Sequence, residues 1–191
     1  ASEVIDFSTS YDLNDFRLGL AQEFKLLASL RHPNIIEVLD YGFDDEQQPY
    51  FTMELLENAN TVLDASKNQP LEGKIDYLIQ MLHALSYLHH RDILHRDLKP
   101  ANVLVIDGQV KVLDFGLSAM REHLNHEASE EDTSTAGTIT YMAPEIMMGH
   151  PATEQSDLYA VGMIAFEIIA GSHPFADTDV ASLINHVLYT T

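Results

Sequence analysis

Apolar positions in the first part of the chain change from a helical to an extended spacing. Residues 14–32 carry apolar side chains at the three- and four-residue intervals of one helix face, with Asn14 as a possible N-cap. The preceding segment EVIDF, residues 3–7, is typical of a short strand. Two β-rich runs follow at residues 35–43 and 49–56, separated by a polar turn. The pattern therefore predicts strand, helix, strand and strand, in that order.

The next part of the chain has mainly helical spacing. Residues 73–91 form a long periodic segment, and His89 and His90 at its end are expected to cap carbonyl groups and face water. A second apolar helix is predicted for residues 156–171, with Ser156 as its N-cap, and it is too short to span a bilayer. The apolar side chains that share one stripe of the first helix are Ile75, Leu78, Ile79, Leu82, Leu85 and Leu88.

Between these helices, two apolar runs flank the pair Asp107-Gly108. An Asp-Gly pair in this position is a strong hairpin signal, because a type I′ turn needs a positive φ at both central residues. The hairpin would hold Asn102 near one base and Asp114 near the other. The sequence therefore predicts that two polar side chains twelve residues apart come together.

The net charge of the chain limits the classes of partner that we expect it to bind. The 191 residues include 30 Asp and Glu against 10 Lys and Arg, a formal charge of −20, so nucleic acids and anionic membrane surfaces would be repelled. Basic peptides and metal cations are the more natural partners. There is no Cys, and the first residues lack the basic start and apolar run of a signal peptide. We expect a cytoplasmic protein with no membrane segment in this chain.

Four motifs occur in a fixed order along the chain. They are HRDLKPAN at residues 95–102, DFG at 114–116, GTITYMAPE at 137–145 and SDLYAVG at 156–162. In this order they resemble the motif set of a eukaryotic-type protein kinase of the Ser/Thr class. The resemblance covers nearly the whole chain, and four motifs in register are far more specific than one.

The resemblance implies a role for each polar residue of the first two motifs. Asp97 would accept the proton of the acceptor hydroxyl, and Lys99 would meet the γ-phosphate of ATP. Asn102 and Asp114 offer hard oxygen ligands for Mg²⁺. Lys99 and the form of GTITYMAPE favour Ser or Thr of a protein substrate as the acceptor.

Four further residues resemble positions of the family's adenine-binding site. Met53 resembles the gatekeeper residue, and residues Glu54 to Leu56 resemble the hinge whose backbone bonds the adenine. Leu104 resembles the floor of the pocket. The resemblance thus implies ATP and Mg²⁺ as cofactors.

The resemblance also implies an α+β, protein-kinase-like bilobal fold. Residues 1–56 would form a truncated small lobe with a strand, helix αC, two strands and the start of the hinge. Residues 57–191 would form a mainly α-helical large lobe that lacks its final helices. No Lys or Arg occurs after Arg121, so Glu145 of the APE motif would lack the family's arginine and remain an unpaired buried acid.

Glu23 faces inward on the stripe of the first helix, where a carboxylate is costly unless it is paired. In kinases its partner is a strand lysine that also grips the phosphates. The corresponding position falls near Glu3, and the glycine-rich loop is missing too. Either the chain is an N-terminally truncated kinase, or it is a pseudokinase that acts as a non-catalytic interaction module. The presence of Asp97, Lys99, Asn102 and Asp114 favours truncation.

The segment between DFG and APE is long and unpatterned, which is typical of a functional or disordered loop. It offers Thr133, Ser134 and Thr135 for phosphorylation, with Ser134 nearest the family's usual position. The resemblance implies that Arg96 would hold the phosphate, since a guanidinium binds phosphate in a bidentate manner. The neighbouring acidic segment EASEED, residues 127–132, would instead repel a phosphate or stand in for one.

Overall fold

The computed structural model describes residues 25–45, 49–115, 139–175 and 179–189. By its contacts the chain divides into two compact units. The smaller unit comprises Ala1–Arg31 and Glu37–Leu55, and the larger comprises His32–Ile36 and Leu56–Thr191. None of the helices in the described ranges combines the length and apolar character that crossing a membrane requires.

In the smaller unit, a helix and a two-stranded sheet are described. Residues 25–29 are helical (α1), in agreement with the periodic segment predicted there. Strand β1, Val38–Phe43, pairs antiparallel with β2, Pro49–Met53. The predicted strand EVIDF and Glu23 lie outside the described residues.

The larger unit contains a three-stranded antiparallel sheet in the order β3-β4-β5. Its strands are β3, Asn60–Thr61, β4, Val103–Ile106, and β5, Gln109–Val112. The turn between β4 and β5 has φ values of 49° at Asp107 and 79° at Gly108. Both values are positive, as a type I′ turn requires. The predicted hairpin is therefore confirmed.

The first β-rich run was predicted to begin at Ile35, and this start is wrong. Ile35 forms an isolated parallel bridge with Val112 of β5, and the N–H of Ile36 donates to the Val112 carbonyl at 3.0 Å. Both side chains are buried in the larger unit. A run of apolar residues specifies burial but not the partner strand, so the spacing alone did not reveal where β1 begins.

Five further helices belong to the larger unit within the described ranges. They are α2, Val62–Ser66, α3, Leu71–His89, α4, Pro144–Met147, α5, Glu154–Ala170, and α6, Val180–Tyr189, and a 3₁₀ turn spans Pro100–Asn102. Helices α3 and α5 run antiparallel, because Lys74 at the start of α3 bonds the carbonyl of Ile168 near the end of α5. With strands and helices in both units, the α+β fold class is confirmed.

The N-cap of α5 is Thr153, so the prediction that Ser156 caps this helix is wrong. Ser156 is the N3 residue, and its hydroxyl accepts from the Thr153 N–H at 3.2 Å. The two residues form a reciprocal capping box in which Ser stands in for the usual Glu or Gln. The helix ends as predicted at Gly171, which has a φ of 81°.

The buried face of α3 differs from the predicted stripe. Ile75, Ile79 and Leu82 are 41–44% exposed. The residues that are buried are Tyr77, Met81, Ala84, Leu85 and Leu88. Helix α3 contacts α2, α5 and β5, and a helix with apolar residues around most of its circumference does not define one face by spacing alone.

Candidate active site

The loop of residues 93–102 is held by a carboxylate from α5. Asp157 Oδ2 accepts hydrogen bonds from the N–H of His95 at 2.9 Å and from His89 Nε2 at 2.8 Å, and Oδ1 accepts from the N–H of Arg96 at 3.0 Å. Asp157 is 2% exposed, so these three donors replace water around its charge. Arg96 has a φ of 67°, an uncommon conformation that the bond to Asp157 maintains.

The predicted catalytic residues of this loop lie together. Lys99 Nζ is 2.9 Å from Asp97 Oδ2, and both side chains are about one-fifth exposed, at 24% and 18%. Asn102 Nδ2 donates to the Asp97 backbone carbonyl at 2.8 Å and to Asp97 Oδ2 at 3.3 Å. Asn102 is itself buried. One hydrogen-bonded group thus contains the side chains of Asp97, Lys99 and Asn102, and the carboxylate of Asp97 within it is accessible.

The hairpin brings the DFG segment back to this group. The N–H of Leu113 donates to the carbonyl of Asn102 at 2.9 Å, directly before Asp114. Asp114 has a φ of 58°, which places it in the left-handed region that non-glycine residues seldom occupy. Uncommon backbone conformations of this kind concentrate at functional sites.

The donor set near this hairpin fits a hard divalent cation. Asn102 uses its Nδ2 toward Asp97, and its Oδ1 accepts no hydrogen bond from a described residue. Within the same ranges, no group of three or more His, Asp or Glu side chains is arranged to hold a metal by itself. Mg²⁺ typically takes one or two protein oxygens and completes its shell with water and substrate phosphates. Asn102 and Asp114 therefore match the ligand count of such a site.

His95 is fully buried behind the catalytic loop. Burial lowers the pKa of its imidazole below the ordinary value of 6.5, and the charges of Asp157 and Asp97 and the Leu113 carbonyl oppose that shift only in part. Neither ring nitrogen makes a well-formed hydrogen bond within the described residues. The ring is therefore neutral near pH 7 and acts as core packing beneath Asp97.

Two of the four residues predicted to bind adenine lie at the end of β2. Met53 is the last residue of β2 and pairs with Val38 of β1. The next residue, Glu54, exchanges hydrogen bonds with Glu37, since its N–H donates to the Glu37 carbonyl at 2.9 Å and its Oε1 accepts from the Glu37 N–H at 3.1 Å. In the larger unit, Leu56 is half-buried and Leu104 lies in β4 opposite Lys111.

A cavity of about 430 Å³ opens beside the catalytic loop. Asp97 and Arg96 contribute to its lining, and the remaining lining is mainly apolar, with Met142 and Ile146 among the apolar members. Tyr141, also in the lining, donates its phenol O–H to Glu167 Oε2 at 2.6 Å. Burial and the Glu167 carboxylate raise the pKa of the Tyr141 phenol, so it stays protonated as the donor.

The expectation of an unpaired buried acid at Glu145 is wrong. Glu145 is half-buried, and its Oε1 accepts a hydrogen bond from the Ser156 hydroxyl at 2.6 Å. A neutral hydroxyl donor thus takes the place of the expected cation. Thr133, Ser134 and Thr135 lie outside the described residues.

The His89-His90 prediction is correct for only one of the two residues. His90 Nδ1 contacts the Ser86 carbonyl at 2.6 Å on an exposed surface, as expected. His89 instead turns inward to Asp157, and its side chain is 9% exposed. A carboxylate 68 residues away gave no local signal for this partnership.

Comparison with known proteins agrees with the geometry. The family model described as "Protein kinase domain" matches residues 8–190. The chain is 37% identical to an Aurora kinase of Schizosaccharomyces pombe over 160 residues, which are 82% of this chain and 43% of that protein. It is 38% identical over 183 residues to the probable serine/threonine-protein kinase PknB of Lactococcus lactis, covering 93% of this chain and 28% of the relative.

A third relative is the serine/threonine-protein kinase PrkC of Bacillus subtilis, 32% identical over 186 residues, which are 96% of this chain and 28% of that protein. The chain thus spans less than half the length of these relatives. The match to the family model extends over nearly the whole chain and includes the loop around Asp97. The chain belongs to the protein kinase domain family.

Proposed function

We propose that the protein carrying this chain transfers the γ-phosphate of Mg-ATP to a Ser or Thr hydroxyl of a protein substrate. The observation that carries this proposal is the hydrogen-bonded group of Asp97, Lys99 and Asn102, with the Asp114 segment tied to Asn102 by the hairpin. Two of the relatives described above are named as serine/threonine-protein kinases. No feature of the described residues favours the non-catalytic alternative.

Asp97 is suited to accept the proton of the acceptor hydroxyl. Its carboxylate is about one-fifth exposed and lines the 430 Å³ cavity, so an incoming hydroxyl can reach it. Asn102 donates to its carbonyl and to one carboxylate oxygen, which fixes the orientation of the side chain. A base held in one geometry lowers the entropy cost of aligning the hydroxyl with the phosphate.

Lys99 and the two predicted metal ligands supply the positive charge. Lys99 Nζ, 2.9 Å from Asp97, is placed to meet the transferring phosphoryl group as the hydroxyl approaches that carboxylate. Asn102 and Asp114 would hold Mg²⁺, which neutralises the phosphate oxygens when bound. Met53, Glu54, Leu56 and Leu104 would contact the adenine, and Glu23 would support the phosphate grip.

The cavity beside Asp97 is proposed to receive the segment that carries the acceptor. Its lining combines the catalytic loop with Tyr141 and Met142, directly before the proline of α4. The Tyr141–Glu167 hydrogen bond fixes this wall to α5. An apolar lining favours an apolar neighbour of the acceptor residue, because a charged side chain would lose its hydration there.

Regulation by phosphorylation of Ser134, Thr133 or Thr135 is part of the proposal. Arg96 supports it, since its side chain is exposed and makes no ion pair with a described residue. A phosphate placed near this guanidinium would gain charge-assisted hydrogen bonds. Loss of activation on replacing all three hydroxyl residues by Ala in the full protein would test this point, and unchanged activity would reject it.

The experiment that tests the main proposal is transfer of labelled phosphate from Mg-ATP to a protein substrate. Asp97→Asn should abolish transfer while leaving the fold intact, because Asn retains the size of the side chain but is not a base. Asp92→Asn is the matched control, since Asp92 is an exposed acid five residues earlier with a positive φ that Asn also tolerates. Equal labelling by wild type and Asp97→Asn would refute the assignment.

A further inference from the structure

Basic and aromatic side chains lie close together on helix α3 and the segments beside it. His83 and Tyr87 are one turn apart on α3, and Arg91 follows four residues later, just past the helix end. Residues four apart share a helix face. His32 and Lys111 belong to neighbouring segments of the chain, and these five residues are together called the basic cluster.

Tyr87 is the centre of the basic cluster. The Arg91 guanidinium carbon lies 3.7 Å from the centroid of the Tyr87 ring, a cation–π contact. The His32 ring lies 4.9 Å from the same centroid, measured between ring centres. Lys111 precedes Val112, whose N–H donates to the carbonyl of Asn34 at 2.9 Å, so β5 runs beside the segment that carries His32.

The cluster concentrates positive charge in a strongly acidic chain. Burial lowers the pKa of His32 below its ordinary value, and the electrostatic influence of His83, Arg91 and Lys111 lowers it further. Within the described residues, no carboxylate lies within ion-pair distance of His32, His83 or Arg91. In a chain with 30 acids and 10 Lys and Arg, Arg91 is thus a cation whose charge an anionic ligand would neutralise.

Hydrogen-bond donors remain available at the cluster. The N–H of Asn34 donates to His32 Nδ1 at 3.2 Å, so the neutral ring carries its proton on Nε2. Arg91 uses one Nη1–H for the Tyr87 carbonyl at 3.2 Å, and the rest of its planar fork makes no hydrogen bond with a described residue. His83 and Arg91 are exposed to solvent. A guanidinium fork flanked by imidazoles suits a tetrahedral oxyanion.

We propose that the basic cluster binds the phosphate of a phosphorylated Ser or Thr in a protein segment. The Arg91 guanidinium, in contact with the Tyr87 ring, and the neighbouring His32 ring would supply hydrogen-bond donors to one phosphate group. A nucleic acid or an anionic membrane is a poor fit, because the chain's formal charge of −20 repels an extended polyanion beyond the cluster. This site is independent of the proposed phosphate transfer.

The first test measures binding of a short neutral peptide with one central phosphoserine, and of its unphosphorylated twin, to the protein carrying this chain. Only the phosphopeptide should bind. Arg91→Gln and His83→Gln should each weaken binding about tenfold, the loss expected for one charge-assisted hydrogen bond. Lys67→Gln is the matched control, since Lys67 is an exposed cation already paired with Asp64, and it should leave the affinity unchanged.

Arg91→Lys separates a binding role from a purely structural one. The Lys variant keeps the charge near the helix end but loses the fork, so binding should weaken less than in Arg91→Gln. Urea denaturation of each variant shows whether the fold is retained. If folded Arg91→Gln binds the phosphopeptide as tightly as wild type, these cations only stabilise the helix end and the proposal is overturned.

A second test uses the pH dependence of binding of the same phosphopeptide. A bound phosphate should raise the pKa of His32, so affinity should increase as pH falls from about 7.5 to 6.5. NMR titration of the His32 ring with inorganic phosphate should show the same upward shift in wild type and a smaller one in Arg91→Gln. Equal binding of both peptides, or binding of a single-stranded oligonucleotide in preference to the phosphopeptide, would contradict the proposal.

Discussion

Removal of the Asp157 carboxylate should destabilise the protein strongly. Asp157→Ala leaves the backbone N–H groups of His95 and Arg96 and the imidazole of His89 without an acceptor, at a position that is 2% exposed. Each unsatisfied buried N–H costs about 1–3 kcal/mol. Because the three contacts share one carboxylate and their losses are not additive, we expect a total of about 3–5 kcal/mol.

The assay is thermal and urea denaturation followed by circular dichroism. For a chain of this size, about 1 kcal/mol lowers Tm by about 2–4 °C, so the Ala variant should melt about 6–20 °C below wild type. Asp157→Asn keeps one acceptor oxygen, so its Tm should lie between those of wild type and Asp157→Ala. The control is Asp64→Asn, which alters an exposed pair with Lys67 and should melt like wild type. An Asp157→Ala variant that melts within 2 °C of wild type, about the shift for 1 kcal/mol or less, would show that the three hydrogen bonds do not carry the loop.

Three further predictions concern other parts of the larger unit. Gly108→Ala should lower the free energy of unfolding, measured by urea titration, by about 1–2 kcal/mol. The cause is the backbone, since the φ of Gly108 is 79°, whereas an added Cβ meets nothing within 4 Å. Unchanged stability would contradict the turn assignment. Gln80→Ala should lower the free energy of unfolding by about 1–3 kcal/mol, because Gln80 Oε1 accepts from Asn34 Nδ2 and from the Val110 N–H, both at 2.8 Å. Gln80→Glu keeps the acceptor oxygen and should lose less stability. Burial lowers the pKa of folded His95 below 6.5, so the unfolded chain binds more protons and the contribution of His95 to stability is fully present above pH 6.5 and is lost as pH falls below it. His95→Phe should therefore flatten the dependence of the urea midpoint on pH. An equally steep dependence in that variant would refute the cause.

Local sequence chemistry predicted the parts of the site that lie close together in the chain. The Asp107-Gly108 pair specified its turn through backbone conformation alone, and the turn placed Asn102 beside Leu113. The Asp97, Lys99 and Asn102 side chains fall within six residues, so their grouping follows from one loop. Such features need no knowledge of distant partners.

Features that depend on distant partners were not predictable in the same way. The spacing in α3 favoured Ile75, Ile79 and Leu82 as the buried face, whereas packing against three neighbours buried Met81 and Ala84 instead. Met adapts to irregular gaps and Ala permits close approach, and neither property produces a periodic signal.

Hydrogen-bond partners that lie far apart in the chain were not predictable either. Gln80 bonds Asn34 across 46 residues, and Glu145 finds the Ser156 hydroxyl rather than a cation. Hydrogen bonds of this kind are set by the final packing, so they enter only once the backbone positions are known.

The anchoring of the catalytic loop by Asp157 has a consequence for synthesis on the ribosome. Asp157 is added 62 residues after His95, whose N–H it accepts. At about 5–20 residues per second, His95 is added about 3–12 s before Asp157. During that interval the amides of His95 and Arg96 must bond water, so the loop that bears Asp97 acquires its final geometry only when α5 docks.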